Sequence, residues 1–183
     1  MSSSLEVMRG ASEHYDDAGY YDHTYRLRTE DIAFYRRIAR LHGGPVLEIG
    51  GGSGRISLAL ARDGHDVDVV DTSRSMLARG QARALAGLRA AEGHGRVEFR
   101  HGDMRAFALG KKFPLVLAPF NTLLHLYEPD DFAACFRTVV AHLAPGGAFV
   151  FDVRVPNLRE LCRDPGHVYR SRGFRHPTLG YRV

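Results

Sequence analysis

The glycine-rich segment at residues 46–57, VLEIGGGSGRIS, constrains the fold of this chain more than any other feature. The run from Pro45 to Ile49 is short and apolar apart from Glu48, which is typical of a strand buried in a parallel sheet. Three glycines then alternate with other residues: Gly50, Gly52 and Gly54. Their missing Cβ atoms permit positive φ and let a ligand lie against the backbone. From Arg55 onward a helix is predicted, whose first N–H groups point back at this loop.

The glycine spacing separates two classes of ligand for such a loop. A dinucleotide fingerprint, G-x-G-x-x-G, needs its third glycine at residue 55 or 57, where this chain has Arg55 and Ser57. An arginine attracts phosphate, but Glu48 opposes a pyrophosphate and suits a ligand that carries an ammonium group. The loop therefore favours a nucleoside joined to a cationic group over a nicotinamide dinucleotide.

An acidic residue ends the second predicted strand, residues 65–71. Asp71 lies 21 residues after Gly50 and is placed to accept hydrogen bonds from both hydroxyls of a ribose. Nicotinamide enzymes use the same device, and Asp71 followed by Thr72 and Ser73 is also a common helix entry. Met76, in the helix predicted to run to about Ala91, lies under an adenine ring or fills the core.

Two further strand ends carry candidate site residues. Asp103 and Met104 follow the third predicted strand, residues 96–100, where a carboxylate accepts from an adenine amino group and a thioether contacts the ring. Phe120 follows the fourth, residues 113–119, and precedes His125. Ligands of open α/β sheets bind beyond the carboxyl ends of strands, so both segments are expected at the site. His125 is a candidate base, although a histidine between leucines is also often a buried residue bonded to backbone.

These motifs, in this order, resemble class I S-adenosylmethionine-dependent methyltransferases. The residues that carry the resemblance are the E-x-G-x-G-x-G segment from Glu48 to Gly54, Asp71, the stretch HGDMR at 101–105 and the turn Pro145-Gly146-Gly147. The stretch HGDMR followed by Phe107 is similar to the small-molecule type, including amino-deoxysugar N-methyltransferases.

The resemblance implies S-adenosyl-L-methionine as cofactor and a small-molecule N or O nucleophile as methyl acceptor. It implies that His125 is the base, and that Tyr21 and Arg28 close over the methionine carboxylate. Methyltransferases acting on nucleic acid amino groups carry N/D-P-P-Y/F after the fourth strand. This chain has the sequence APFN at residues 118–121, so we expect no nucleic acid substrate.

The predicted architecture is a doubly wound, mostly parallel α/β sheet in three regions. Residues 1–42 form a loose tail and an N-terminal helical lid, with four tyrosines between Tyr15 and Tyr25 that cover the site or pack the helix onto the domain. Residues 43–155 form the cofactor-binding domain, in which the Pro145-Gly146-Gly147 turn separates a helix from a fifth strand at 148–153. Residues 156–183 begin an antiparallel β insertion on the substrate side, which the sequence leaves unfinished. We expect a fragment, or a sheet completed by a partner, so a homodimer is possible.

Composition narrows the functional class. The 183 residues contain no apolar run near the length of a membrane span and no secretory signal. Two isolated cysteines, Cys135 and Cys162, predict neither disulfides nor a metal site, and we expect a cytoplasmic protein. The net charge of +4 is concentrated in residues 154–183, where seven arginines are spread among strand-like residues as on a solvated face.

Methyl transfer to a small molecule is the function that the sequence predicts. Two alternatives stay open: a non-catalytic module that binds S-adenosylmethionine or a partner, and, less favoured, an NAD(P)-dependent oxidoreductase.

Overall fold

The computed structural model describes residues 15–88, 93–155, 157–164, 166–167, 173, 175–177 and 179–182. Five parallel strands form one sheet in the order β3-β2-β1-β4-β5. The strands are β1 (Val46–Ile49), β2 (Val67–Asp71), β3 (Val97–His101), β4 (Phe113–Ala118) and β5 (Leu143–Phe151). The strand order reverses at β1, so the carboxyl ends of β1 and β4 flank the crevice where ligands of doubly wound sheets bind.

Six α-helices and a short 3₁₀ helix accompany the sheet in the described residues. They are α1 (Ala18–Tyr25), α2 (Glu30–His42), α3 (Ser57–Arg62), α4 (Arg74–Gly87), the 3₁₀ helix (Thr122–His125), α5 (Pro129–His142) and α6 (Leu158–Leu161). The Ser73 hydroxyl caps α4 by accepting from the backbone N–H of Met76. Thr29 precedes α2 but makes no capping hydrogen bond through its side chain.

Alternate residues of the strands form two cores, one on each face of the sheet. Val46, Val69 and Leu115 belong to the core that includes Tyr35 of α2 and Leu60 of α3. The other core is formed by a second set of residues from the sheet and from α5: Leu47, Ile49, Val70, Val116, Cys135 and Val139. Helices therefore cover both faces, and the doubly wound α/β prediction is confirmed.

The Pro145-Gly146-Gly147 segment was expected to separate α5 from the fifth strand, and that prediction is wrong. Helix α5 ends at His142, and Leu143 already pairs with Phe113 of β4. The register then shifts, and Leu115 pairs with Ala148. The glycine-rich turn is thus an irregularity inside β5, because the chain enters the sheet as soon as the helix ends.

Several predicted boundaries also move. The helix predicted from Arg55 begins at Ser57, and the strand predicted from His65 begins at Val67. Helix α4 begins at Arg74 and ends at Gly87, whereas the sequence predicts an end near Ala91; residues 89–92 lie outside the described part of the chain. Such shifts arise because terminal residues of an element obey capping and packing contacts that periodicity does not show.

The C-terminal hairpin is described only in part. Arg175 and Arg182 form an antiparallel bridge, and the His176 N–H donates to the Tyr181 carbonyl at 2.7 Å. Residues 168–172, most of its predicted first strand, lie outside the described residues, as does the tail at 1–14. The His176 ring is stacked between Tyr20 of α1 and Tyr181, with centroid distances of 5.1 and 5.3 Å. The described hairpin residues therefore contact the N-terminal helix.

Candidate active site

A cavity of about 660 Å³ lies at the carboxyl ends of the strands. Glu48 of β1, Asp71 of β2 and Asp103, which follows β3, all line it. The loop after β4 contributes Phe120 and His125. The three carboxylates that the sequence predicted to act together are therefore around one cavity.

The glycine loop forms one wall of this cavity through its backbone. Gly52 has φ of +54°, a left-handed conformation that residues with a side chain rarely adopt. A Cβ atom on Gly52 would lie 2.9 Å from Cε of Met76, and one on Gly50 would lie 2.4 Å from Cγ2 of Thr122. Larger residues at these positions would displace the side chains that line the cavity.

Asp71 connects the glycine loop to the start of α4. Its Oδ2 atom accepts from the Gly52 N–H and its Oδ1 atom from the Ser73 N–H, both at 2.8 Å. Burial raises the pKa of Asp71, and these backbone hydrogen bonds oppose that rise. Each carboxylate oxygen can accept two hydrogen bonds, so the group retains capacity for ligand hydroxyls.

Glu48 is a buried carboxyl group beside the loop, with 2% of its surface exposed. Desolvation raises its pKa to about 7, although the Ser57 hydroxyl donates to Oε2 and the charge of Arg55 favours ionisation. A ligand ammonium group near Glu48 would favour the charged form of this carboxyl.

Asp103 is held by Arg105 and has its pKa lowered by that hydrogen-bonded guanidinium. Arg105 donates from Nη2 to Oδ2 of Asp103 at 2.6 Å and from Nη1 to Oδ1 of Asp131 at 2.7 Å. Because Asp131 lies in α5, this ion-pair network joins the loop after β3 to that helix. Asp103 is thus an ionised acceptor with a fixed orientation.

The turn after β4 adopts an unusual backbone conformation. Phe120 and Asn121 are consecutive residues other than glycine with φ of +61° and +63°. Asp152, directly after β5, accepts from their backbone N–H groups at 2.7 and 3.2 Å. The hydroxyl of the fully buried Tyr35 also donates to Asp152, at 2.6 Å. One carboxylate therefore holds the turn that presents Phe120 to the cavity.

His125 lies at the end of the 3₁₀ helix and lines the cavity. Its Nε2 atom is 2.8 Å from the hydroxyl oxygen of Tyr15, and the two rings meet edge to face at 5.5 Å. Desolvation lowers the pKa of His125, while the charge of Asp71 opposes the shift. Burial raises the pKa of Tyr15 to about 12. At neutral pH the pair is a neutral imidazole and an un-ionised phenol.

The N-terminal helix α1 closes one side of the cavity. Tyr15 and Tyr21 line it, and their ring centroids are 5.4 Å apart. Asp22 accepts from the Ser53 hydroxyl at 2.5 Å and also pairs with Arg79 of α4. Hydrogen bonds and ion pairs thus connect the lid to the glycine loop.

Residues 46–147 match the methyltransferase domain family. The chain belongs to this family. The match begins at β1 and ends inside β5, so it includes the glycine loop, Asp71, Asp103 and the turn after β4.

Curated relatives of this methyltransferase domain include two bacterial N-methyltransferases. It is 32% identical over 133 residues to the cypemycin N-terminal methyltransferase of a Streptomyces species, covering 73% of this chain and 47% of the relative. It is 27% identical over 128 residues to dTDP-3-amino-3,4,6-trideoxy-alpha-D-glucopyranose N,N-dimethyltransferase of Streptomyces venezuelae, covering 70% and 50%. The chain spans about half the length of these relatives.

Solved structures of similar fold include two further methyltransferases. The glycopeptide N-methyltransferase MtfA complexed with S-adenosyl-L-methionine matches with a TM-score of 0.57 and 31% identity, over 66% of this chain and 48% of MtfA. The CcbJ methyltransferase of Streptomyces caelestis matches with a TM-score of 0.59 and 33% identity, over 67% and 48%. The resemblance to class I methyltransferases stated from the sequence is confirmed.

Eleven of the thirteen predicted site residues line the main cavity of the methyltransferase domain. They are Tyr21, Glu48, Gly50, Gly52, Asp71, Thr72, Met76, Asp103, Met104, Phe120 and His125.

Arg28 and Gly54 do not line this cavity. The Arg28 guanidinium lies 4.7 Å from the centroid of the Phe120 ring and lines a neighbouring cavity. Gly54, with φ of +77°, lies under Phe99: a Cβ atom there would be 2.8 Å from Cζ of that ring. The role of Gly54 is close packing of the loop against β3.

Sequence reasoning missed Asp152 and, although it placed Tyr15 among the lid tyrosines, it missed the contact of Tyr15 with His125. Asp152 carries the signal that identifies Asp71, an acidic residue at the end of an apolar strand, and this signal was available. The contact of Tyr15 with His125 joins residues 110 positions apart, and no local pattern indicates it.

The described residues contain no group of three or more His, Cys, Asp or Glu side chains arranged to hold a metal ion. Within the same part of the chain, no helix combines the length and apolar character needed to cross a bilayer.

Proposed function

We propose that this chain binds S-adenosyl-L-methionine and transfers its methyl group to an N or O nucleophile of a small molecule. The observation that carries the proposal is the single cavity shared by Glu48, Asp71, Asp103 and the left-handed glycine loop. These groups fit a cofactor that joins adenosine to a charged amino acid. The named relatives methylate amino sugars and a peptide N-terminus, which supports an amine as acceptor.

The binding roles follow from the position of each group. Asp71, at the end of β2, would accept from the ribose hydroxyls, and Asp103 from the adenine amino group. Met76 and Met104 offer apolar contact to the adenine ring. Glu48 would face the ammonium group of the methionine portion, where a carboxylate is favourable.

When bound, S-adenosylmethionine would supply a methyl group on a sulfonium: a nucleophile in line with the methyl–sulfur bond would bond to the methyl carbon as that bond breaks, and S-adenosylhomocysteine would leave. The chain contributes orientation, worth on the order of 7–11 kcal/mol for well-aligned reactants. His125, neutral near pH 7, would accept the proton that an ammonium must lose before its nitrogen can attack, or that a hydroxyl loses as its oxygen attacks. Tyr15, hydrogen-bonded to Nε2 in the closed arrangement, would have to release that nitrogen to let the acceptor approach.

A calorimetric titration of the chain with S-adenosylhomocysteine and, separately, with NAD tests the cofactor. We expect binding of S-adenosylhomocysteine and no heat with NAD; binding of NAD alone would contradict the proposal.

A second assay follows transfer of labelled methyl from S-adenosylmethionine to a panel of amino sugars, peptides and hydroxylated controls. Tight cofactor binding without transfer to any acceptor would favour the non-catalytic module.

Three further proposals concern the cellular location, the class of methyl acceptor and the oligomeric state. We propose a cytoplasmic location, because both cysteines are free and one of them, Cys135, is buried in the core. Nucleic acid is not the proposed acceptor, because the turn after β4 has the sequence APFN. A homodimer is proposed from the exposed side chains Phe151 and Val153 at the β5 edge, 43% and 47% exposed. Size-exclusion chromatography with light scattering tests this assembly.

A further inference from the structure

A second cavity, of about 510 Å³, lies between the lid and helices α2, α3 and α4. Seven arginines line it, and we call it the arginine cavity: Arg26, Arg28, Arg36, Arg55, Arg62, Arg79 and Arg83. Asp22 is the single carboxylate among the described lining residues. Tyr21 and Arg55 line both this cavity and the main one, whereas Asp71 and Asp103 line the main one alone.

Carboxylates neutralise only part of this positive charge. Asp31 forms a two-pronged ion pair with Arg55, with distances of 2.7 and 2.6 Å. Asp63 pairs with Arg36 and also with Arg40, which lies outside the cavity lining.

Asp22 is shared among Arg79, Arg83 and the Ser53 hydroxyl. Within the described residues, Asp22, Asp31 and Asp63 pair with five of the seven guanidinium groups of the cavity: Arg28, Arg36, Arg55, Arg79 and Arg83. Arg62 forms no hydrogen bond or ion pair within the described part of the chain.

The electrostatics of Arg83 agree with an excess of positive charge. Burial lowers its pKa first, and the nearby charges of Arg79, Arg62 and Arg55 lower it further against the opposing effect of Asp22. Like charges brought together in a concave, partly desolvated site repel one another unless an anion lies among them.

We propose that the arginine cavity is a binding site for a small phosphorylated anion of the diphosphate class. Guanidinium groups match phosphate oxygens through two parallel N–H donors, and several of them around a concavity favour a ligand with more than one charged centre. A cavity enclosed by four elements suits a small molecule rather than an extended polymer. The proposal goes beyond methyl transfer and does not depend on it.

Titration calorimetry with inorganic pyrophosphate, on the whole chain at low ionic strength, tests the site. We expect saturable binding that persists when S-adenosylhomocysteine saturates the main cavity, and weaker binding of orthophosphate. Potassium chloride at matched ionic strength is the control for a general salt effect. Absence of binding would overturn the proposal. Competition by S-adenosylhomocysteine would also overturn it, because the cavity would then be the carboxylate end of the cofactor site.

Substitution of Arg62 identifies the location. Arg62→Gln removes a guanidinium without breaking a described contact, and we expect pyrophosphate affinity to fall about tenfold, the effect of losing one charge-assisted partner. Arg62→Lys keeps the positive charge but not the two parallel N–H donors of the guanidinium group, and should give an intermediate loss of pyrophosphate affinity. The matched control Arg96→Gln removes an equal charge from an exposed residue outside the cavity, and should change affinity by less than about twofold. Equal losses in Arg62→Gln and Arg96→Gln, or no loss in Arg62→Gln, would refute the assignment.

Discussion

Two groups of segments line the main cavity. The first group is the loops after β1, β2 and β3, and the second is the lid together with the turn after β4. Different kinds of contact hold the two groups in place. The first group is held mainly by short-range or neighbouring-strand hydrogen bonds, such as those from Gly52 and Ser73 to Asp71, and the ion pair of Arg105 with Asp131 of α5 is the exception. The second group also has a hydrogen bond between neighbouring strand ends, from Phe120 to Asp152, but it depends on contacts with the N-terminal segments: Tyr15 with His125 and Tyr35 with Asp152. The cofactor half of the site is therefore part of the sheet architecture, whereas the acceptor half depends on tertiary closure.

This difference predicts different responses to mutation. Changes in the strand-end loops should alter ligand affinity while leaving the fold intact. Changes in the distant contacts should alter turnover, or the stability that positions the acceptor side.

The largest expected effect is on catalysis and tests the acceptor half. If His125 accepts the proton, His125→Ala should lower kcat by about 10²- to 10⁴-fold, the usual contribution of a general base. Cofactor affinity should change little, because His125 is not among the groups proposed to hold adenosine. The measurement is methyl transfer with the acceptor found in the panel, beside calorimetry with S-adenosylhomocysteine. A kcat within about twofold of the unaltered chain would remove His125 from the mechanism.

The proposed role of His125 also predicts how kcat depends on pH. The pKa of His125 is lowered from its usual value of 6.5, so the neutral, proton-accepting form prevails at neutral pH and is lost in acid. We expect kcat to fall on an acidic limb whose midpoint lies below 6.5 and which is absent from the residual activity of His125→Ala.

Asp152→Ala tests the contacts that hold the turn after β4. The substitution leaves the N–H groups of Phe120 and Asn121 and the hydroxyl of buried Tyr35 without their acceptor. We expect the free energy of unfolding to fall by about 3 kcal/mol, measured by urea denaturation. Asp152→Asn retains one carbonyl oxygen and should lose less. Equal stability of Asp152→Ala and the unaltered chain would show that Asp152 does not hold this turn.

In the cofactor half, Glu48 should make the free energy of unfolding depend on pH. Its folded-state pKa, about 7, is above the ordinary value of 4.5, so the folded chain binds more protons than the unfolded chain between these values. The stabilising effect is complete below pH 4.5 and is lost as the pH rises through 7. Glu48→Gln cannot ionise. Its free energy of unfolding should therefore rise by about 3 kcal/mol relative to that of the unaltered chain between acid and high pH.

Urea denaturation of both proteins at about pH 5 and about pH 8 measures this difference. A pH-independent difference would mean that Glu48 titrates alike in the folded and unfolded chain. With ligand bound, the sign for affinity is opposite: a cation beside Glu48 should bind more tightly as the carboxyl ionises through pH 7.

The sequence predicted the cofactor half more completely than the acceptor half for a physical reason. Glycine spacing and the acidic residues Asp71 and Asp103 are tied to the carboxyl ends of strands, so a local pattern places them in space. The same reasoning would have found Asp152. The contact of Tyr15 with His125, and the lining of a second cavity by Arg28, depend on how α1 packs, which hydrophobic periodicity does not determine.

For the fold, too, local patterns predicted one part and tertiary contacts determined the rest. Alternating strands and helices predicted the parallel sheet and its covered faces, because each element shows its own periodicity. The start of β5 at Leu143 could not be predicted in this way. A Pro-Gly-Gly segment normally ends an element, but here the residues on either side of it are paired with β4, Leu143 with Phe113 and Ala148 with Leu115, which keeps it within the strand.

Asp71→Ala should lower cofactor affinity by about 1–3 kcal/mol, the cost of leaving hydrogen-bonding groups unpaired. The change also removes the acceptor of the Gly52 N–H, so part of the loss would come from a less ordered loop. Asp130→Ala is the matched control, since Asp130 is exposed and does not line the cavity. Calorimetry with S-adenosylhomocysteine measures both, and unchanged affinity in Asp71→Ala would exclude Asp71 from the site.

The smallest effect is expected at a contact within the acceptor half, between Tyr15 and His125. Tyr15→Phe removes the hydroxyl that meets Nε2 of His125 at 2.8 Å but keeps the ring that contacts Tyr21. If this hydrogen bond only closes the lid, stability should fall by about 1 kcal/mol, the net value of one hydrogen bond, and kcat should be maintained or rise because Nε2 is released. If Tyr15 instead orients the imidazole, kcat should fall while cofactor affinity stays constant. Methyl transfer and calorimetry on Tyr15→Phe, with Tyr127→Phe as a control at another tyrosine of the same cavity, distinguish a lid contact from a positioning residue.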